Sequence, residues 1–165
     1  MSSVRAISSG ILSIALIVVM ANGTSAATST STISVSVTVP TSCNVTGGSL
    51  AFGSYDVLSA TPTDASMIFT ATCATGTTAA IGLGLGSHAS GSTRRMTDAD
   101  GDLLPYELYK DSGHTTIWGQ SGSDAVSYLS ASSAPSNFTI YGRIPAQENV
   151  DTATYSDSIT VTITF

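Results

Sequence analysis

Positive charge is scarce in this chain. Five Lys and Arg stand against eleven Asp and Glu in 165 residues, giving a formal net charge of −6, and no basic stretch is longer than the Arg94-Arg95 pair. Such a surface cannot replace the counterions of a phosphate backbone, so nucleic acid is not an expected partner. Histidine is rarer still. His88 and His114 stand alone in turn-like surroundings and are expected at the surface, and neither lies at ligand spacing from a cysteine, so no metal site is expected. There is no Gly-x-Ser-x-Gly, no free Cys–His pair and no carboxylate pair framed by apolar residues. No catalytic residue and no cofactor is expected, and the chain does not read as an enzyme. Nor does any window sustain a 3.6-residue apolar period, which argues against helices.

What is present begins with an address. Arg5, a mostly apolar run from Ile11 to Ala21 and the small residues Thr24-Ser25-Ala26-Ala27 form the regions of a secretory signal peptide, expected over residues 1–26. About 140 residues then remain, enough for one ordinary domain with an arm. Export places Cys43 and Cys73, the two cysteines of the sequence, in an oxidising compartment, where an even count predicts a disulfide between them. Charged residues are only 10% of the chain, while Ser, Thr, Gly and Ala abound. That is the composition of an extracellular β-protein whose solubility rests on hydroxyls.

The arm is the stretch Thr32-Ile33-Ser34-Val35-Ser36-Val37-Thr38-Val39. Ile33, Val35, Val37 and Val39 share one side of a period-2 pattern and hydroxyl residues share the other, which reads as an amphipathic strand ended by Pro40. No hairpin turn follows to fold it onto a neighbour, so residues 27–40 offer a strand without a sheet. At the far end, Ser158-Ile159-Thr160-Val161-Thr162-Ile163-Thr164-Phe165 repeats the same alternation. Ile159, Val161, Ile163 and Phe165 are expected to face inward there.

Between the two, strands are expected at Cys43–Val45 with Leu50–Phe52, Met67–Cys73, Ala79–Leu85, Leu103–Lys110, Phe138–Arg143 and Asp157–Phe165. Turn residues punctuate them, among others Thr61-Pro62-Thr63-Asp64 and Ala134-Pro135-Ser136-Asn137. Short, regularly spaced strands argue a Greek-key sandwich or barrel, and about six of them are one fewer than the seven of an immunoglobulin-like sandwich. Ile81-Gly82-Leu83-Gly84-Leu85-Gly86 lacks the strand-turn-helix context of a phosphate loop; it reads as a core strand whose glycine face admits another backbone or a ring. Asp98-Ala99-Asp100-Gly101-Asp102 departs from calcium-loop spacing and reads as a solvated acidic turn.

Several clusters then carry a resemblance: Cys43-Asn44-Val45, Leu50-Ala51-Phe52-Gly53-Ser54-Tyr55, Cys73, Arg95-Met96, Leu104-Pro105-Tyr106-Glu107-Leu108-Tyr109-Lys110-Asp111, Trp118-Gly119, Tyr141-Gly142-Arg143-Ile144-Pro145 and Tyr155-Ser156-Asp157. In this order, from about Cys43 to Phe165, the chain resembles the spore coat protein U domain family, which includes pilins of the archaic (Csu-type) chaperone–usher pili. The loops Ser87–Thr93 and Ser121–Ser136 carry nothing that matches. The resemblance implies an all-β, incomplete immunoglobulin-like sandwich over 41–165 that lacks its last strand and takes one from a neighbour. It implies that the segment with Ile33, Val35, Val37 and Val39 is the donated strand and that the C-terminal strand lines the acceptor. It further implies a periplasmic chaperone, an outer-membrane usher and neighbouring subunits as partners. The implied role is a structural subunit of a surface pilus serving attachment or biofilm formation, with a secreted spore or cell coat protein of the same fold as the alternative.

Overall fold

A computed structural model describes Gly23 and residues 25–165, so the expected leader lies almost wholly outside the described residues. The chain divides into two compact units, the first reaching to Val37 and the second running from Thr38 to Phe165. The described part of the first unit contains no helix or strand, and its side chains are exposed.

The second unit is all β apart from one 3-10 turn at Gly122–Asp124. Its strands are β1 (Cys43–Val45), β2 (Thr63–Cys73), β3 (Thr78–Leu83), β4 (Arg94–Thr97), β5 (Leu103–Tyr109), β6 (Val126–Leu129), β7 (Ser136–Ile144) and β8 (Val161–Thr164). One sheet runs β1-β2-β7-β5-β4 and the other β6-β3-β8, with every pairing antiparallel. Two layers with crossing connections form the sandwich that the strand spacing predicts.

The core lies where the inward alternations meet. Phe69 and Ala71 of β2, Ile81 and Leu83 of β3, Leu104 and Leu108 of β5, and Ile140 and Ile144 of β7 are all buried. Trp118 joins them at 1% exposure, its indole N–H donating to the Ile81 carbonyl at 2.8 Å. That bond satisfies the one polar atom of the largest core side chain, so Trp118 has no free face for a ligand.

The structure departs from the expected strands at definite places. β2 starts at Thr63, because Asp64 is not a turn residue: it lies opposite Arg143, whose Nε and Nη2 donate to its carboxylate at 2.7 and 2.8 Å. Ser136 and Asn137 likewise belong to β7 and not to a turn. Leu50–Phe52 is not a strand. Its two apolar side chains instead lie over Gly142, where a Cβ would come within 2.7 Å of both Leu50 Cδ2 and Phe52 Cζ. Of Asp157–Phe165 only Val161–Thr164 is strand. Two strands were not anticipated, β4 and β6.

β4 exists because of Arg94, which is completely buried. Its Nε donates to the Gly84 carbonyl at 2.9 Å, its Nη2 to the carbonyls of Leu83 at 3.0 Å and Trp118 at 2.8 Å, and its Nη1 to the Glu107 carboxylate. One guanidinium thereby satisfies three carbonyls and ties β3, β4, β5 and the Trp118 segment together.

The expected disulfide is present: Cys43 and Cys73 are bonded and stand directly opposite each other in the β1–β2 ladder. With its ends separated by 30 positions in sequence, the bridge should contribute about 3–4 kcal/mol by restricting the unfolded chain. A C43A/C73A variant, kept folded by a complementing strand, should melt roughly 10 °C or more below the parent in calorimetry, taking about 4 °C per kcal/mol for a domain of this size. An unchanged melting temperature would show that β1 is held without the bridge.

The glycine run behaves as its pattern implies. A Cβ on Gly82 would run into the Gln120 carbonyl group, so another backbone does cross β3 at that point. The acidic stretch is a closed turn: Asp98 Oδ1 accepts the N–H groups of Asp100, Gly101 and Asp102 at 3.1, 2.8 and 2.8 Å. His114 does not stand at the surface. Its side chain is only 6% exposed and sits edge-on to Tyr109.

Candidate functional site, the open flank between β1 and β8

A two-layer sandwich has two lateral flanks, and they are closed differently here. On the β5 side, the Trp118 N–H donates to the Leu108 carbonyl at 2.8 Å and the Leu83 N–H donates to the Gly119 carbonyl at 2.9 Å. Residues 118 and 119 thus stitch one sheet to the other, and Arg94 reinforces the seam.

On the opposite flank, β1 ends one sheet and β8 ends the other. The two approach within 8 Å between Cα atoms, yet they share no ladder, and no described strand lies between them. The Gly84 N–H donates to the Thr160 carbonyl at 2.8 Å, and Gly82 lies opposite Thr162. In an antiparallel ladder, successive residues point their backbone groups to alternate sides. Thr160, Thr162 and Thr164 therefore face β3, while the N–H and C=O of Val161 and Ile163 face the open flank. On β1 the Thr46 N–H reaches the Thr70 carbonyl and the Ser42 carbonyl accepts from Ala74, so Cys43 and Val45 are the residues turned outward.

The side chains match this picture. Ile159, Val161 and Ile163 pack against the core but remain half-buried, as does Val45 on β1. Phe165 does not pack inward; it is 55% exposed. Apolar residues on both lips are covered from one side only, as expected of a sandwich missing an element at this position. Ile33, Val35, Val37 and Val39 are 87, 93, 87 and 79% exposed and belong to no strand.

β8 is pinned where its run begins. Asp157, with its side chain 3% exposed, accepts the Tyr106 hydroxyl at 2.7 Å and the Ser87 N–H at 2.9 Å. Burial, and then the hydrogen bond to that carboxylate, push the Tyr106 hydroxyl far above its ordinary range, so it remains a donor at any physiological pH. Ser156 pairs with Thr97 beside it. Apart from the flank, a cavity of about 680 Å³ is lined by Leu50, Phe52, Tyr55, Met96, Ile144 and Tyr155 and by no residue of β1 or β8. The Tyr55 hydroxyl donates to the Pro145 carbonyl and accepts the Glu148 N–H, both at 2.8 Å, which fixes this wall.

Of the residues marked from sequence, the structure thus brings Ile159, Val161 and Ile163 together on one lip. Val45, Leu50 and Phe52 also pack against the core while staying half-buried, and the Leu50-x-Phe52 alternation, expected as a strand, serves that packing instead.

Fold and flank together define an incomplete immunoglobulin-like β-sandwich, closed on one side and one strand short on the other. The chain belongs to the spore coat protein U family, whose Spore Coat Protein U domain model matches residues 29–162 and so takes in most of the arm as well as the sandwich. Protein U of Myxococcus xanthus is 37% identical over 131 residues, covering 72% of this chain and 73% of that protein. Among solved structures, the fold is similar to a chain in the CsuC–CsuE chaperone–tip adhesion subunit pre-assembly complex of the archaic chaperone–usher Csu pili of Acinetobacter baumannii. The TM-score is 0.58 at 23% identity, over 78% of this chain but only 41% of that one.

Proposed function

We propose that this protein is a secreted structural subunit, not an enzyme, that polymerises at the cell surface by donating residues 27–40 to the open flank of the next copy. The observation that carries the reading is the pairing of two deficits in one chain: an edge strand, β8, with outward backbone groups and half-covered apolar side chains, and an exposed arm of matching alternation. Added strands gain affinity from main-chain hydrogen bonds and specificity from alternate side chains. Burying Ile33, Val35, Val37 and Val39 would contribute about 6–12 kcal/mol gross before ordering costs. A flank left open invites edge-to-edge aggregation, so the chain needs a stand-in strand before assembly. The Csu relative comes from a complex with a chaperone, which supports a periplasmic chaperone in that role here, with an outer-membrane usher exchanging it for the neighbour's arm. Attachment and biofilm formation are the roles that such a fibre would serve.

The family's name favours a second assembly of the same kind, a secreted spore or cell coat. Electron microscopy of material sheared from cells separates the two, with thin filaments expected for the pilus and sheets or amorphous layers for the coat.

Moving residues 27–40 to follow Phe165 through a short Gly/Ser linker tests the reading itself. An intramolecular donor has an effective concentration in the ~mM range. The relocated chain should be monomeric in light scattering, soluble without a chaperone and more heat-resistant than any chaperone-bound form. If it stays insoluble, the arm does not complete this flank.

A further inference from the structure

The arm and the C-terminal strand are near copies of one another. From Ile33 to Val39 and from Ile159 to Phe165, seven positions run apolar, hydroxyl, apolar, hydroxyl, apolar, hydroxyl, apolar, and six of the seven differ only between Ser and Thr, between Val and Ile, or not at all. Resting on the reading above, we infer the register of the junction: the incoming arm runs antiparallel to β8 with Ile33 opposite Phe165, Ser36 opposite Thr162 and Val39 opposite Ile159.

The backbone parity narrows the choice first. Val161 and Ile163 turn their N–H and C=O to the open flank, so they form the hydrogen-bonded pairs with the newcomer. Directly paired residues point to the same face. Val161 and Ile163 point toward the core, so their partners must be apolar arm residues. A slip of one residue would turn Ser34, Ser36 and Thr38 inward and is excluded. Slips of two keep the parity but match only about five positions of the two alternating runs instead of seven, leaving an apolar residue of each run without a partner. Orientation follows from the surrounding sheet. Every described ladder in the domain is antiparallel, and antiparallel pairing is the more stable per residue.

The register makes a checkable geometric statement about the solvent face. Thr164 bonds to β3, so Ser34 opposite it forms a non-hydrogen-bonded pair, with Cα atoms about 4.5 Å apart, within reach of a disulfide. A diagonal neighbour two residues along is about 7–8 Å away and out of reach.

The test uses full-length double variants assembled in the organism that makes the protein, with polymer collected from the surface and run in SDS with and without reductant. S34C/T164C should give a ladder of covalent multimers containing most of the subunits, collapsed to monomer by dithiothreitol, with peptide mapping showing Cys43–Cys73 intact. S34C/T160C, which is in reach only for a parallel arm, and S36C/T164C, which reports a two-residue slip, should stay monomeric in SDS. If either control cross-links while S34C/T164C does not, the register is wrong and strand donation stands. If polymer forms and none of the three cross-links, the register is wrong. If deleting residues 27–40 leaves polymer unchanged, the donor reading and the register fall together.

Discussion

Replacing Val35 and Val37 together by Asp should stop polymer formation while leaving the domain folded. In the single chain both side chains are exposed, at 93 and 87%, so a carboxylate there costs the donor nothing. In a neighbour's flank each would lie against the half-covered Val161 and Ile163 lip, and burying an unpaired carboxylate there costs several kcal/mol. Against a gross gain of about 6–12 kcal/mol for the arm, two such penalties leave no net affinity. The comparison variant is Val161→Asp. That side chain packs against the core of its own domain, so this change should remove the subunit altogether. Subunit yield measured beside polymer yield separates the two cases: V35D/V37D should keep the first and lose the second, while V161D loses both. A V35D/V37D protein that fails to accumulate would mean that the arm serves its own domain.

Arg94→Met should be the most destabilising change away from the flank. Methionine fills much of the space but leaves the carbonyls of Leu83, Gly84 and Trp118 without their donor and the Glu107 carboxylate without its cation. Breaking a buried pair of this kind typically costs about 3–5 kcal/mol, a large part of the ~5–15 kcal/mol that holds a domain together. The measurement is urea unfolding of the form carrying its own donor after Phe165, where chaperone binding does not mask the loss. Arg94→Lys should recover only a fraction, because an ammonium cannot present the planar fork that reaches three carbonyls and a carboxylate at once. If Met at position 94 unfolds at the parent's urea midpoint, the guanidinium is not what closes the sealed flank.

How far the sequence carried this description depended on whether a feature was local. The alternations at 33–39 and 159–165 are local; the second contains the strand Val161–Thr164, while the first is exposed and belongs to no strand in the single chain. The disulfide followed from a count of two and an export signal. β4 was hidden because Arg94-Arg95 reads as a charged surface pair; its burial depends on Glu107 and on carbonyls of segments 10 to 24 residues away. β6 was hidden because Val126-Ser127-Tyr128-Leu129 is a short alternation inside a serine-rich loop. Which edge strand stays unpaired could not be read locally either. It depends on the order β6-β3-β8, in which strands distant in sequence become neighbours.

The position of the disulfide has a mechanical consequence. Cys43 is the fourth residue after Val39, and it is bonded to Cys73 at the end of β2. Tension applied along the arm enters the sandwich at Cys43 and crosses at once, through a covalent bond, to a strand held to β7 over nine paired positions. The three-residue ladder of β1 and the segment from 46 to 62, which lies between β1 and β2, are thereby excused from the load. Traction on the arm would be borne as shear along the longest of the described ladders, not as peeling of a three-residue one.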